Sequence, residues 1–288
     1  MLGLPSGHSD YPLIAPLVEA ILRASGGYSR FSQDVPQIIR QAIDEVIDAP
    51  RTNRFTLAET EKTEKTYLGT KIEILLRAYL NLSKGHILDL SVAGVETDIK
   101  NTMGRNWTIP MEAFGHPCLL IKENEKTALC SVGIVIAHDF YLNASSNRDQ
   151  KRSLSVSGMQ NAWWILKDHP YPPNFWERLT TSERDNIMGA GGGKSRVAAL
   201  FKAVQKQPIS RLIVQAVAQQ HDYMKRVRRN GGARDLLAPI GIAILWGQAD
   251  RALIEALNLG HVAPEEFISY LPISPPEIAL LKNAGHID

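Results

Sequence analysis

The chain has 288 residues, 44% hydrophobic and 22% charged, the profile of a globular protein with room for one large domain or two ordinary ones. No apolar run is long enough to span a membrane, and the opening MLGLPSGHSDYP lacks a basic-then-apolar leader, which predicts a cytoplasmic protein. Net charge is only +2, yet residues 144–234 hold 16 Lys and Arg against 6 Asp and Glu; a nucleic-acid partner requires such a segment, although a solvated basic face has the same composition.

PLIAPLVEAILRAS and VPQIIRQAIDEVIDA have the apolar period of amphipathic helices, and TLAETEKTEKTYLGTKIEILLRAYLNL reads as one long helix. HILDLSV, GVETDIKN, PCLLIKE and ALCSVGIVIAHDF follow as strands, predicting an α+β domain with a short antiparallel sheet over residues 1–168. Cys118 and Cys130 lie in apolar strand-like runs, as buried free thiols do. SSNRDQKRSLS is a polar, basic connection. The proline-rich DHPYPPNFW suggests a linker at residues 169–176. A second domain, 177–288, then reads as mainly helical: ERLTTSERDNIM, SRVAALFKAVQ, ISRLIVQAVAQ, HDYMKRVRRN and DRALIEALNLG, with GIAILWG as a strand.

The stretch AGVETDIKNTMG carries the chemistry. Val95, Thr97 and Ile99 alternate with Glu96, Asp98 and Lys100, a strand with one apolar and one charged face. Ala93-Gly94 between two strand patterns predicts a tight hairpin in which Val92 faces Val95. Asp89 then stands opposite Asp98, and facing like charges require a cation or a shared proton. Lys100 follows on the same face, opposite Ile87. A register slip of one residue would undo the aspartate pair. On the preceding helix Lys65, Gly69 and Glu73 share one face, with Glu73 near the buried side and Gly69 allowing close backbone approach. A helix Glu, an Asp and an Asp-x-Lys make the pattern of a Mg2+-dependent nuclease. Glu73, Asp89 and Asp98 are hard oxygen ligands for Mg2+, which activates water and phosphate, and Lys100 offsets developing negative charge. A solvated edge strand would carry the same common triplet; the facing aspartate distinguishes the two readings.

TEKTYLGTKIE, AGVETDIK, WTIP, GHPCLLI, SNRDQKRSL and the long AQQHDYMKRVRRNGGARDLL resemble, in order from about residue 51 to 245, the NaeI family of type II restriction endonucleases. The resemblance implies a PD-(D/E)xK restriction-endonuclease-like domain followed by a winged-helix-like DNA-binding domain. It implies a catalytic set of Glu73, Asp89, Asp98 and Lys100, the four that geometry selects. Glu96 falls where the family carries a neutral residue and is left out. It further implies a GC-rich palindromic site and an effector role for the second domain. The first fifty residues and the tail after Gly247 match poorly.

Other motifs are weaker. GAGGGKS, residues 189–195, has Met188 where a phosphate-binding loop needs Gly, and no strand precedes it; it reads as a glycine turn opening a helix, with no nucleotide cofactor. His116, His138, His169 and His221 have no zinc spacing with the cysteines. Trp163-Trp164 reads as core packing of a short helix. KRVRRNGGAR gathers Lys225, Arg226, Arg228, Arg229 and Arg234 around a helix end closed by Gly231-Gly232. Cations there suit the macrodipole, but so many together call for phosphate partners. Lys65 on the helix and Arg148, Lys151 and Arg152 in the basic connection are further candidate DNA contacts.

Three functions follow: a Mg2+-dependent endonuclease cutting double-stranded DNA as a homodimer, an inactive DNA-binding regulator on the same fold, and a strand-nicking endonuclease of mismatch-repair type. The complete acid set with its lysine favours the first, and the large basic second domain argues against the third.

Overall fold

The apolar period of the first segment closes α1 (Tyr11–Ala24), whose Ile14, Leu17, Val18 and Ile21 form one buried face. In α2 (Tyr28–Ile47) the helix starts upstream of the predicted Val35, because Phe31 continues the buried stripe of Val35, Ile39 and Ile43. Pro36 lies inside it, so packing offsets a missing backbone donor. The computed structural model describes residues 1–220 and 222–288 and divides into two units. The first holds Met1–Ile47 and Thr56–Asn174, the second Asp48–Phe55 and Phe175–Asp288. The short α3 (Ala49–Thr52) thus belongs to the second unit.

The predicted long helix is two pieces. A 3-10 turn at Leu57–Glu59 comes first, and a capping box between Glu61 and Glu64 then opens α4 (Lys62–Leu80). Leu68, Ile72, Leu76 and Leu80 bury its inner face, and Asn81 ends it in the left-handed region.

The strands of the first unit are β1 (Leu90–Val92), β2 (Val95–Thr102), β3 (Thr108–Ile109), β4 (Pro117–Asn124), β5 (Leu129–Ile136), β6 (Leu142–Ser146) and β7 (Arg152–Leu154). After α5 (Val156–Gln160) comes β8 (Trp163–Pro170). The main sheet runs β1-β2-β4-β5-β8. It is mixed rather than antiparallel: β2 and β4 are parallel, with Asp98 beside Cys118 and Lys100 beside Leu120. Residues 103–116 carry the chain back through β3 to start β4 in the direction of β2. Trp163 and Trp164 pack in the core as expected, but on a strand, and His169-Pro170 of the expected linker also lie in that strand. The basic connection is a hairpin, β6–β7, in a second sheet of order β3-β7-β6. Cys118, Leu120, Val135, Leu142, Leu154 and Trp164 belong to the core on the Asp98 side of the main sheet.

The second unit contains α6 (Thr181–Met188), α7 (Gly193–Ala203), β9 (Ile209–Ser210), α8 (Arg211–Ala218), α9 (Arg234–Leu237), β10 (Ala243–Trp246), α10 (Arg251–Ala256), β11 (Glu266–Tyr270) and α11 (Pro275–Asn283). Its sheet runs β10-β11-β9, antiparallel throughout. The glycine run opens α7 and follows a helix, as the phosphate-loop comparison anticipates. HDYMKRVRRN is not a helix: Tyr223–Arg226 makes one 3-10 turn, and His221 lies outside the described residues. The backbone turns left-handed at Asn230 and Gly231, whose N–H groups donate to the Asp235 carboxylate. A Cβ on Gly232 would sit 2.2 Å from the Arg228 carbonyl oxygen, so the reversal needs glycine. The strand EFISY and the Ser274-capped helix PPEIALLKN escape the sequence reading. No helix among the described residues is long and apolar enough to cross a membrane.

Candidate active site

The hairpin turn places Ala93 and Gly94 at positive φ, 52° and 81°, as a two-residue turn of this kind requires. Val92 pairs with Val95, Ser91 with Glu96 and Leu90 with Thr97. This is the expected register, but the ladder stops before Asp89 reaches Asp98. Instead Asp89 turns its carboxylate into the hairpin, where Oδ2 accepts the Ile99 N–H at 2.7 Å.

Asp98 does not lie on a solvated face. It is 3% exposed, and Thr97 and Ile99 on the apolar face are buried as well, because pairing with β4 places this part of β2 inside the sheet; Val95, beside the turn, is exposed. Lys100 Nζ lies 2.9 Å from Asp98 Oδ1 and 3.7 Å from Asp89 Oδ2. Asp98 Oδ2 is buried with no hydrogen-bond partner. Burial first, and then the Asp89 carboxylate beside it, push the Asp98 carboxyl up to about 7 against the pull of Lys100. Burial opposes the charge on Lys100, but Asp98 and Asp89 together hold its pKa above the ordinary value.

Glu73 projects from α4 toward the same place. Burial and then Asp89 raise its pKa, while Arg77 and Lys100 lower it. Its Oε1 meets Arg77 Nη1 at 3.1 Å, and that nitrogen also faces the Asp89 carbonyl oxygen at 3.4 Å. Arg77, one turn after Glu73, is a site residue that the sequence reading missed; its i, i+4 spacing was the available signal. Gly69 packs against Asn101, but a Cβ there would stand 3.6 Å from Asn101 Cβ, ordinary contact, so space does not require glycine.

The sequence matches the family described as "Restriction endonuclease NaeI" over residues 26–273. It is also 35% identical over 237 residues to the type II restriction enzyme NaeI of Lentzea aerocolonigenes, covering 80% of this chain and 74% of that protein. The chain belongs to the NaeI family. As a NaeI-family member it is a type II site-specific deoxyribonuclease acting on double-stranded DNA, and enzymes of this type generally need divalent metal ions.

The carboxylates bear on that need. Among the described residues no group of three or more His, Cys, Asp or Glu is gathered as a metal would require, Glu73 being turned toward Arg77. That ion pair engages one oxygen of Glu73. Asp89 and Asp98 remain as a hard-oxygen pair, and the buried, unpartnered Asp98 Oδ2 is an acceptor that a cation would satisfy. One or two carboxylates, with water and substrate oxygens, suit Mg2+.

Of the basic residues expected on NaeI-family DNA, Arg148 and Lys151 are exposed at the tip of the β6–β7 hairpin. Arg152 makes several contacts within its own unit. It pairs with Asp139, donates to the carbonyls of Asn143 and Leu142, and lies over the Phe114 ring. Lys65 donates to the Ala58 carbonyl at 3.2 Å. In the second unit Lys225 pairs with Asp222, Arg229 with Asp288 and Arg234 with Asp250, and Arg226 donates to Gln220. Two of the histidines take structural partners: His138 pairs with buried Asp10 and His169 meets the Ser32 carbonyl. Cys118 and Cys130 are buried free thiols.

Proposed function

We propose that this chain is a Mg2+-dependent, PD-(D/E)xK-type endonuclease that cuts both strands of a GC-rich palindrome as a homodimer. The observation that carries the reading is the buried Asp98, its free oxygen beside Asp89 and its other oxygen on Lys100. Asp89 and Asp98 would hold the metal, which when bound supplies an activated water and a polarised phosphate. Lys100 places a positive charge where negative charge develops on the phosphate. Glu73, steered by Arg77, stands at the edge of the pair to orient groups around it. A two-fold axis presents one such site to each strand.

In the second unit the chain order of α7, β9, α8, residues 222–240, β10 and β11, with sheet order β10-β11-β9, supports a winged-helix reading. The basic segment then occupies the recognition element, and the unit binds a second copy of the site as an effector. A cytoplasmic location fits an enzyme that acts on DNA.

Plasmid incubated with pure protein and Mg2+ tests the proposal. Linear product with defined ends at a GC-rich palindrome supports it. Open circle alone would indicate nicking, and no product a DNA-binding regulator; either result overturns it.

A further inference from the structure

Glu96 was passed over as a catalytic residue, yet its carboxylate does something specific. Oε1 accepts the backbone N–H of His86 at 2.7 Å, and Oε2 accepts those of Ile87 at 3.1 Å and Leu88 at 2.9 Å. Three consecutive amides aimed at one carboxylate form an anion-holding concavity of main chain. The next residue is Asp89.

The segment is fitted around this contact. A Cβ on Gly85 would lie 2.5 Å from Glu96 Oε2 and 2.5 Å from the Leu88 carbonyl oxygen, so only glycine lets the loop close on the carboxylate. Ser83 bridges to Ser91 across the base of the loop, and Leu88 is buried in the core. The regular ladder ends at Leu90, so no strand pairing holds residues 86–89. Glu96 replaces it. Asp89 is therefore fixed upstream by Glu96 and at its own carboxylate by the Ile99 N–H.

We infer that Glu96 is a positioning residue for the metal-dependent reaction: by clamping the amides of residues 86–88 it sets Asp89 against Asp98. The inference rests on the nuclease reading of Asp89 and Asp98. Glu96 touches neither metal nor DNA in this role. It acts as the outer groups of metal sites do, whose loss typically costs about 10- to 100-fold in metal affinity or activity.

Wild type, Glu96→Gln, Glu96→Ala and Asp98→Ala are compared by Mn2+ binding followed by electron paramagnetic resonance, by the Mg2+ concentration giving half-maximal plasmid cleavage, and by thermal melting. Glu96→Gln keeps the side-chain volume but turns an amide group toward backbone donors. The expected result is a folded Glu96→Gln protein with Mn2+ affinity weakened about 10- to 100-fold, and with cleavage recovering as Mg2+ is raised. Unchanged Mn2+ affinity and Mg2+ midpoint in a folded Glu96 variant overturn the inference. So does loss of fold in both Glu96 variants, which would make the residue merely structural. If Asp98→Ala binds Mn2+ like wild type, the site reading itself has failed. If Asp98→Ala loses Mn2+ while the Glu96 variants keep it, only the positioning role falls.

Discussion

Asp89 Oδ2 and the Ile99 N–H lie 2.7 Å apart, a side chain standing in for strand pairing where the β1–β2 ladder ends. The contact separates the geometry of Asp89 from its charge. Asp89→Asn keeps an acceptor for Ile99, so its melting temperature should stay near wild type while cleavage is lost. Asp89→Ala should lose cleavage and also about 1–3 kcal/mol of stability, because it strands a half-buried donor. Denaturant melts and plasmid assays on the two variants check this; equal stability of both would remove the structural role of the bond.

Asp98→Ala and Lys100→Ala should each lower cleavage by at least about a hundredfold while leaving duplex affinity within a few-fold. Ca2+ in place of Mg2+ should likewise permit binding but slow or stop the cut, because Ca2+ takes more ligands in looser geometry. Filter binding in Ca2+ beside plasmid cleavage in Mg2+ measures both. An Asp98 variant with full activity would end the assignment.

Glu123 gives the first unit a pH signature. It is 1% exposed on β4, where Asn101 donates to it at 3.0 Å, and burial pushes its carboxyl up to about 8. Cys130 is its cross-strand neighbour, and the charge of Glu125 also raises it. Between the unfolded carboxyl pKa of about 4.3 and the folded value, the native state holds the extra proton. Stability from this group is therefore full below the unfolded pKa, falls as pH rises through the window, and levels off above about 8. Glu123→Gln should abolish that slope and be the more stable protein at pH 8 by about 3–5 kcal/mol, an upper range at 1.36 kcal/mol per unit. Chemical denaturation at pH 5 and pH 8 supplies the comparison, and parallel pH profiles would contradict it.

Arg152 and its hairpin neighbours should separate by salt. Its guanidinium meets the Asp139 carboxylate and three carbonyl groups, so Arg152→Ala should cost about 2 kcal/mol of stability and leave the salt slope of DNA binding unchanged. Replacing exposed Arg148 and Lys151 should instead reduce that slope by about 1 each without a change in melting. A reduced slope in Arg152→Ala would reverse the distinction.

Arg228 has no ion-pair or hydrogen-bond partner among the described residues, and Arg229 pairs only with exposed Asp288. Replacing both with Ala should abolish stimulation by a short duplex carrying the site and leave basal cleavage intact. Wild type should cut one-site plasmids sluggishly and sediment as a dimer. Equal rates on one-site and two-site plasmids, with the duplex merely competing, would make the second unit a plain affinity module.

The sequence by itself determined the hairpin register and the convergence of Asp89, Asp98 and Lys100. A two-residue turn and strict side-chain alternation are local constraints, and Glu73 follows from helical spacing. It also determined the family, through motifs in unbroken order. Only the tertiary structure decided which partners the charges take within the fold. Asp139 and Phe114 come to Arg152 from other segments, and residues 86–88 curl onto the Glu96 carboxylate. Parallel pairing of β2 with β4 depends on a crossover that no local pattern encodes. The single 3-10 turn at Tyr223–Arg226, where helical period predicts a helix, is of the same kind: that period is a local preference, and the Asp235 carboxylate and the tight Gly232 approach outweigh it.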